Sequence, residues 1–388
     1  MLAWRRNRAR DHDPRLTESL TQEANRLLTG GSWAEAEPVL RQVIHLRTEQ
    51  LGATAQSTLS ARSGLAWALI ELRRLEEAVA ELRGLLPLAL TSWGERHETS
   101  NGVRLHMGRA LLASGRPAQA EELARIILTV YPARDGLRLQ ASNLRARALG
   151  SLGRHREAAD EHTALLTAAT AIHGQDARLL LSVRVDRLQH LALLGEHDLV
   201  EQEHHALLVA LPDEDPLRGA VSGAQAFAVN STGRHEEAEA IVRAALAHRA
   251  DTTPFLGLAL SLKGQGRHEE ALQVLTDTAA AYLQDRDNEY TSLLHTLTAQ
   301  TLLGLNRPDE AELQARQAVE AAKAHQGPSH HRSLEAATTL GSVLAAQQHH
   351  TEAREHLTRC ATAWHQHFGP HHPHTIATET ELAALPQP

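Results

Sequence analysis

The sequence predicts an all-α solenoid of nine helix–turn–helix repeats, closed by a C-terminal capping helix. Three observations predict it. First, the string Gly233-Arg234-His235-Glu236-Glu237-Ala238 returns letter for letter as Gly266-Arg267-His268-Glu269-Glu270-Ala271, and one letter off as Gly153-Arg154-His155-Arg156-Glu157-Ala158. Such recurrence every few tens of residues marks a repeat array. Second, the final Ala serves as a ruler with nine registers: Ala36, Ala78, Ala120, Ala158, Val200, Ala238, Ala271, Ala311 and Ala353. Third, two upstream columns agree with it. The position twelve back is small in eight of nine units, and the position nine back (Leu27, Leu69, Leu111, Leu149, Leu191, Val229, Leu262, Leu302, Leu344) is apolar in all nine.

The string has a physical reading. Gly takes the left-handed conformation that ends one helix and turns the chain back. The Glu pair then falls in the first turn of the next helix, where the dipole favours negative charge. The Ala is small because a neighbouring helix approaches there, and overpacking such a contact costs about 1–3 kcal/mol.

In chain order, residues 1–14 form a basic arm, expected to be disordered. Unit one covers about 16–50, with Ser32 expected as N-cap of its second helix. Unit two covers about 57–92, with Arg73 where a turn Gly belongs, so its corner is expected to be loose or strained. Units three and four cover about 99–131 and 137–172, turned at Gly115 and Gly153. Unit five, about 177–210, is the most divergent, with Leu188 for the small residue and Val200 for the Ala. Residues 211–216 bring two prolines and three acids, so a hinge is expected between units 1–5 (15–211) and units 6–9 plus the cap (212–388). Units six and seven, about 217–249 and 254–284, are compact, and units eight and nine, about 288–325 and 331–368, are long. The stretch 375–385 is one helix without a partner, whose polar side (Thr378, Glu379, Thr380, Glu381) suits a cap.

Met107-Gly108, Leu111, Gly115, Ala120, Ile127 and Pro132 carry the spacing of a tetratricopeptide repeat (TPR), and the chain resembles that family over about 16–385. The longer units, as in Thr58-Leu59-Ser60-Ala61-Arg62-Ser63-Gly64-Leu65-Ala66, resemble the 42-residue variety of kinesin light chains and actinobacterial signalling proteins. The resemblance implies a right-handed superhelix and a scaffold used for many partners.

Composition narrows the function. The net charge of −8 does not recruit nucleic acid or an anionic membrane. Cys360 is the one cysteine, so no disulfide forms within the chain, and its register marks it as a core residue. No stretch reaches the roughly 18 apolar residues of a membrane span, and the N-terminus lacks the apolar region of a secretory signal, so the expected location is cytoplasmic. No phosphate loop, G-x-S-x-G elbow or H-E-x-x-H helix occurs. Neither an enzyme nor a cofactor is therefore expected.

The sequence carries 26 histidines, a residue type that ligates metal ions. His155, His197, His235, His268 and His350 share one register, three before the ruler, a column normally aromatic in the family. Spaced along an array, they read as packing residues. The tail cluster His365, His367, His371, His372 and His374 is better spaced for a metal but reads as solvent-exposed, so no metal ligand is assigned.

The leading expectation is a non-enzymatic binding scaffold with a concave groove lined by first helices. The alternative is a regulatory or sensor module of bacterial signalling or transcription control that switches on ligand binding. The resemblance places the groove at the positions eleven and fifteen before the ruler. These give Asn25, Trp67, Arg109, Asn143, Arg147, Gln189, Phe227 and Gln300, with Leu260 and Ser342 in the same column. Arg forks match carboxylates and Asn holds an extended backbone, so a peptide with an acidic residue or free C-terminus is the expected partner. The competing expectation is that these Arg pair with acids on adjacent helices.

Overall fold

The computed structural model describes residues 14–132, 135–173, 178–215, 217–247, 254–283, 290–325, 328 and 330–386. The arm at 1–13 lies outside the described residues. Among those described, the chain is built of nineteen α-helices with no strand.

The helices fall into pairs. Pair one is α1 (Pro14–Thr29) and α2 (Trp33–Leu51); pair two is α3 (Gln56–Glu71) and α4 (Leu75–Trp93). Pair three is α5 (Glu98–Ala113) and α6 (Pro117–Val130); pair four is α7 (Gly136–Ser151) and α8 (His155–His173). Pair five is α9 (Arg178–Leu193) and α10 (His197–Ala210); pair six is α11 (Leu217–Ser231) and α12 (His235–Ala247). Pair seven is α13 (Pro254–Gly264) and α14 (His268–Leu283); pair eight is α15 (Thr291–Gly304) and α16 (Pro308–His325). Pair nine is α17 (His331–Ala346) and α18 (His350–Phe368), and α19 (Pro373–Ala384) follows alone. This is an all-α helical-repeat solenoid. The chain forms two compact units, Met1–Arg145 and Ala146–Pro388, so the second begins inside α7.

The three columns are the core. All nine ruler residues are 0% exposed, and all nine apolar residues nine positions earlier are buried. The divergent fifth pair is no exception, since Leu188 and Val200 pack in one cluster with Leu207, Leu211 and Val221. Within the first unit, a β-carbon on Gly108 would run into the Leu144 side chain, which explains the small residue of that column.

The turn inside each pair is a Schellman closure, repeated nine times. In pair six, Gly233 N–H donates to Asn230 C=O at 3.0 Å and Arg234 N–H to Val229 C=O at 3.2 Å. The residue five before the ruler takes positive φ in all nine pairs, and three of these residues are not glycine: Arg73 (φ 61°), Asn306 (59°) and Gln348 (66°). Arg73 thus keeps the left-handed corner and bears the strain. The repeated string adds a side-chain lock. Arg234 donates to both carboxylate oxygens of Glu237, at 2.8 and 2.7 Å, and Arg267 does the same with Glu270 at 2.7 and 2.6 Å. These pairs are exposed, so each adds little stability.

Two local expectations are corrected. Ser32 occupies the N-cap position of α2, but its hydroxyl makes no capping bond, and only its backbone carbonyl accepts from Glu35 and Ala36. Histidine caps instead: His97, His330 and His372 each accept at Nδ1 from the backbone N–H two residues on. On α19, Thr378 is buried and Glu381 half-buried against pair nine, while Glu379 and Thr380 are exposed as expected and Ile376 is exposed with them. Leu382 and Leu385 close the core of the last pairs, and Arg354 Nη2 donates to the Leu385 carbonyl at 3.0 Å. The helix therefore covers the core by its apolar side chains and terminal backbone. Cys360 is buried beside Leu334 and Trp364, and burial raises its thiol pKa.

The 211–216 joint lies inside the second unit, with Pro216 outside the described residues. Asp215 Oδ1 accepts from Leu217 N–H at 2.8 Å, and Arg218 Nη1 donates to the Leu208 and Leu211 carbonyls at 2.8 and 2.6 Å. The same device stands in the first unit. Asp135 Oδ1 accepts from Leu137 N–H at 2.8 Å, and Arg138 Nη1 donates to the Tyr131 carbonyl at 2.9 Å. Both follow the pattern x-Pro-x-x-Asp-x-Leu-Arg.

Candidate functional site

The expected groove positions lie on the first helix of each pair, and each compact unit is taken by itself. In the first unit, Asn25 on α1 is exposed. Trp67 on α3 is half-buried in an aromatic row. Its ring lies 5.1 Å from Trp33 and stacks on His106 at 6.0 Å, and its indole N–H donates to Glu71 at 3.2 Å. Burial, and secondarily the charge of Arg109, push the His106 pKa down to about 4. Arg109 Nη2 donates to Gln140 Oε1 at 3.0 Å. One turn beyond Gln140 on α7, Asn143 carries a buried Oδ1 without a hydrogen-bond partner. A buried acceptor left unmade costs about 1–3 kcal/mol.

In the second unit, Arg147 and Gln189 are exposed, while Phe227 packs half-buried against the cluster around Leu188. Gln300 on α15 is the expected residue with the richest surroundings. Its Oε1 accepts from Lys263 Nζ at 2.5 Å, and its Nε2 donates to Thr339 Oγ1 at 3.0 Å and Glu335 Oε1 at 3.4 Å. Gln300, Glu335 and Thr339 border a cavity of about 260 Å³, together with Leu303, Thr338, Ser342 and His374. Burial lowers the Lys263 pKa, opposed by the charge of Glu335. Ser342 Oγ donates to Glu381 Oε2 at 2.8 Å, yet burial dominates and raises the Glu381 pKa. His374 stacks on Trp364 at 4.7 Å, and burial lowers its pKa as well. The wall thus offers one carboxylate, an amide, hydroxyls and an imidazole, with the Lys263 ammonium and the Glu381 carboxyl hydrogen-bonded to it from behind.

The register reading missed Lys263, Glu335, Thr339, Glu381 and His374. A signal existed for two of them. Glu335, Thr339 and Ser342 follow one another at helical spacing on α17, so walking the Ser342 column back along its helix reaches Thr339 and Glu335. The other three arrive from neighbouring helices.

Histidines serve several structural ends. His235 and His268 fill the space beside Gly264 and Gly304, where a β-carbon would come under 3.0 Å from either ring. Of the tail cluster, His372 and His374 stack on Trp364, while His365 is exposed and 3.6 Å from Glu379. Among the described residues, no helix is long and apolar enough to cross a membrane.

Comparison with known proteins agrees with this architecture. Tetratricopeptide-repeat profiles match residues 21–90, residues 102–125 and 254–275, and residues 333–374. No curated protein matches the chain. Among solved structures, the chain is similar to a Rap protein complexed with Competence and Sporulation Factor, at TM-score 0.53 and 12% identity, over 84% of this chain and 98% of that one. It is also similar to the nearly identical TPR-like repeats of a Podosopora anserina kinesin light chain, at TM-score 0.34 and 21% identity, over 60% and 94% of the two chains. A tetratricopeptide repeat protein from Parabacteroides merdae is similar at TM-score 0.39 and 13% identity, over 79% and 93%.

Proposed function

This chain is a tetratricopeptide-repeat protein, and from that premise we propose that it is a non-enzymatic scaffold that takes up a protein or peptide segment on the face of its first helices. The observation that carries the reading is the unpartnered, buried Oδ1 of Asn143 on the face where Arg109 already holds Gln140. An amide on α7 and a guanidinium on α5 suit an extended segment that brings a backbone N–H and a carboxylate, either an acidic side chain or a free C-terminus. The proposed contacts of the first unit are Asn25, Trp67, Arg109 and Asn143. Those of the second are Arg147, Gln189, Phe227 and Gln300, the last with its polar cavity. The Rap protein structure, with Competence and Sporulation Factor bound, lends the reading a precedent on this fold.

The test has two stages. Affinity capture from the native host identifies a partner, whose binding segment is then titrated against Arg109→Ala, Asn143→Ala and Arg147→Ala. Loss of a charged hydrogen bond to the ligand costs about 1.5–3 kcal/mol, and loss of the Asn143 bond about 1 kcal/mol. Unchanged affinity in all three variants, with the fold intact by circular dichroism, removes the assignment.

A further inference from the structure

The second unit gathers three histidines from two stretches about 175 residues apart. His155 opens α8. His330 is the N-cap of α17, and His331 is its first residue. One ring nitrogen from each lies within 4.8 Å of the other two. The ring centroids of His155 stand 5.7 Å from His330 and 5.6 Å from His331, and the latter two are 4.7 Å apart.

Two of these rings each keep one buried nitrogen without a partner. His155 is 2% exposed and His331 8%, yet Nε2 of His155 and Nδ1 of His331 have no hydrogen-bond partner. Two buried polar atoms without partners leave a desolvation penalty uncompensated, and they do so at the same spot. Neighbouring residues shape the ring of His155. Its Nδ1 is 3.2 Å from Nδ1 of His190, and the Phe368 ring lies 5.5 Å away. With Nδ1–H donating to His190, the Nε2 lone pair of His155 points at no protein donor. A partner that accepts from the other ring nitrogen in this way fixes the tautomer and orientation of a metal-ligating histidine.

We propose that His155, His330 and His331 form a three-histidine site for a late first-row divalent metal ion, with Zn(II) as the occupant. Neutral imidazole is the ligand that such ions favour. Three protein nitrogens leave one position of a tetrahedral ion for water. With metal–nitrogen bonds of about 2.0–2.1 Å, ligand nitrogens stand roughly 3.3 Å apart, so the separations between them must shorten by at most about 1.5 Å. His330 bears a specific cost. Its Nδ1 now accepts from Arg332 N–H at 3.3 Å, and a neutral ring cannot both accept there and ligate through Nε2. Metal binding therefore exchanges that long cap bond for a coordinate bond. The Arg332 guanidinium sits over the Tyr290 ring, 4.7 Å from its centroid, and its charge works against the ion. Bound metal would tie the start of α8 to the start of α17. This site is separate from the peptide reading above and stands or falls without it.

The experiment uses the full chain without a polyhistidine tag. Zn(II) is titrated by calorimetry, and Co(II) by its visible absorption, into the wild type, His155→Gln and His330→Asn. Asparagine at 330 keeps an N-cap while removing the imidazole. A control, His365→Ala/His367→Ala/His371→Ala, removes exposed tail histidines. The expected result is one equivalent of Zn(II) and a tetrahedral Co(II) spectrum in wild type and control. Affinity should be at least tenfold weaker in both site variants, with circular dichroism unchanged in His330→Asn. Absence of stoichiometric binding, equal binding in wild type and His330→Asn, or a loss confined to the tail control would each overturn the site.

Discussion

The ring of His235 occupies the space that a β-carbon on Gly264 would need, and Nδ1 of that ring is held 3.0 Å from Asn230 Oδ1. Asn230 is in turn tied to Ser261 Oγ at 3.0 Å, so the ring cannot swing aside without breaking a buried chain of bonds. His268 fills the same space against Gly304, although its buried Nδ1 has no hydrogen-bond partner. A histidine thus fills the column that carries an aromatic residue elsewhere in the family.

Gly264→Ala is expected to destabilise the protein. Helix propensity favours Ala by about 1 kcal/mol, and overpacking costs about 1–3 kcal/mol, so the clash wins. Adding His235→Ala should relieve the clash. Urea unfolding of the two single variants and the double should show a coupling energy of about 1 kcal/mol or more. Additive effects would mean that the ring moves freely.

Arg73→Gly and Gln348→Gly are expected to stabilise. Both residues sit at positive φ, 61° and 66°, where a β-carbon costs roughly 1–2 kcal/mol. Glycine's greater freedom in the unfolded chain takes back part of this, leaving a net gain of about 0.5–1 kcal/mol. Gly153→Ala, at φ 79°, should shift the midpoint the other way. Thermal or urea midpoints of the three variants check the prediction, and a loss of stability in Arg73→Gly would contradict it.

Stability should fall as the solution is acidified below neutrality. His162 is 0% exposed with both ring nitrogens unpartnered, and burial pushes its pKa down to about 3. His106, in the first unit, is pushed down to about 4. Between those values and the unfolded value of about 6.5, the unfolded chain binds protons that the native chain does not, so stability rises with pH across that window. His162→Leu removes one such group and its unmet hydrogen bonds. It should be neutral or stabilising at pH 7.5 and stabilise more at pH 5. A urea midpoint that does not fall between those two pH values in the wild type would refute the linkage.

The 211–216 joint should be the first site of limited proteolysis beyond residue 15. Its two prolines and three acids favour an exposed, open strand of backbone. Arg218, which donates to the Leu208 and Leu211 carbonyls, opposes opening. Arg218→Ala should therefore speed that cut severalfold, while Arg138→Ala speeds a cut near 131–135. First cleavage inside pair three or pair seven would contradict this ordering.

What the sequence determined by itself was everything governed by short range. The nine helix pairs, the buried ruler column and the turn position five residues before it depend on contacts between a residue and its near neighbours in the chain. Spacing of 3.6 residues and a left-handed turn are legible there. Even the strain at Arg73 could be read, because the register demanded positive φ where glycine was missing. Only the tertiary structure could decide the convergences. Lys263, Gln300, Glu335 and Glu381 each stand on a different helix, and no periodicity relates an ammonium on α13 to a carboxylate on α19. His155 shares a register with His235 and His268, yet the packing turns those two onto glycines and brings His155 against His330 and His331. The physical reason is that register fixes a side chain's direction on its own helix. What it meets there depends on how distant helices are stacked, and that information is spread over every interface between them.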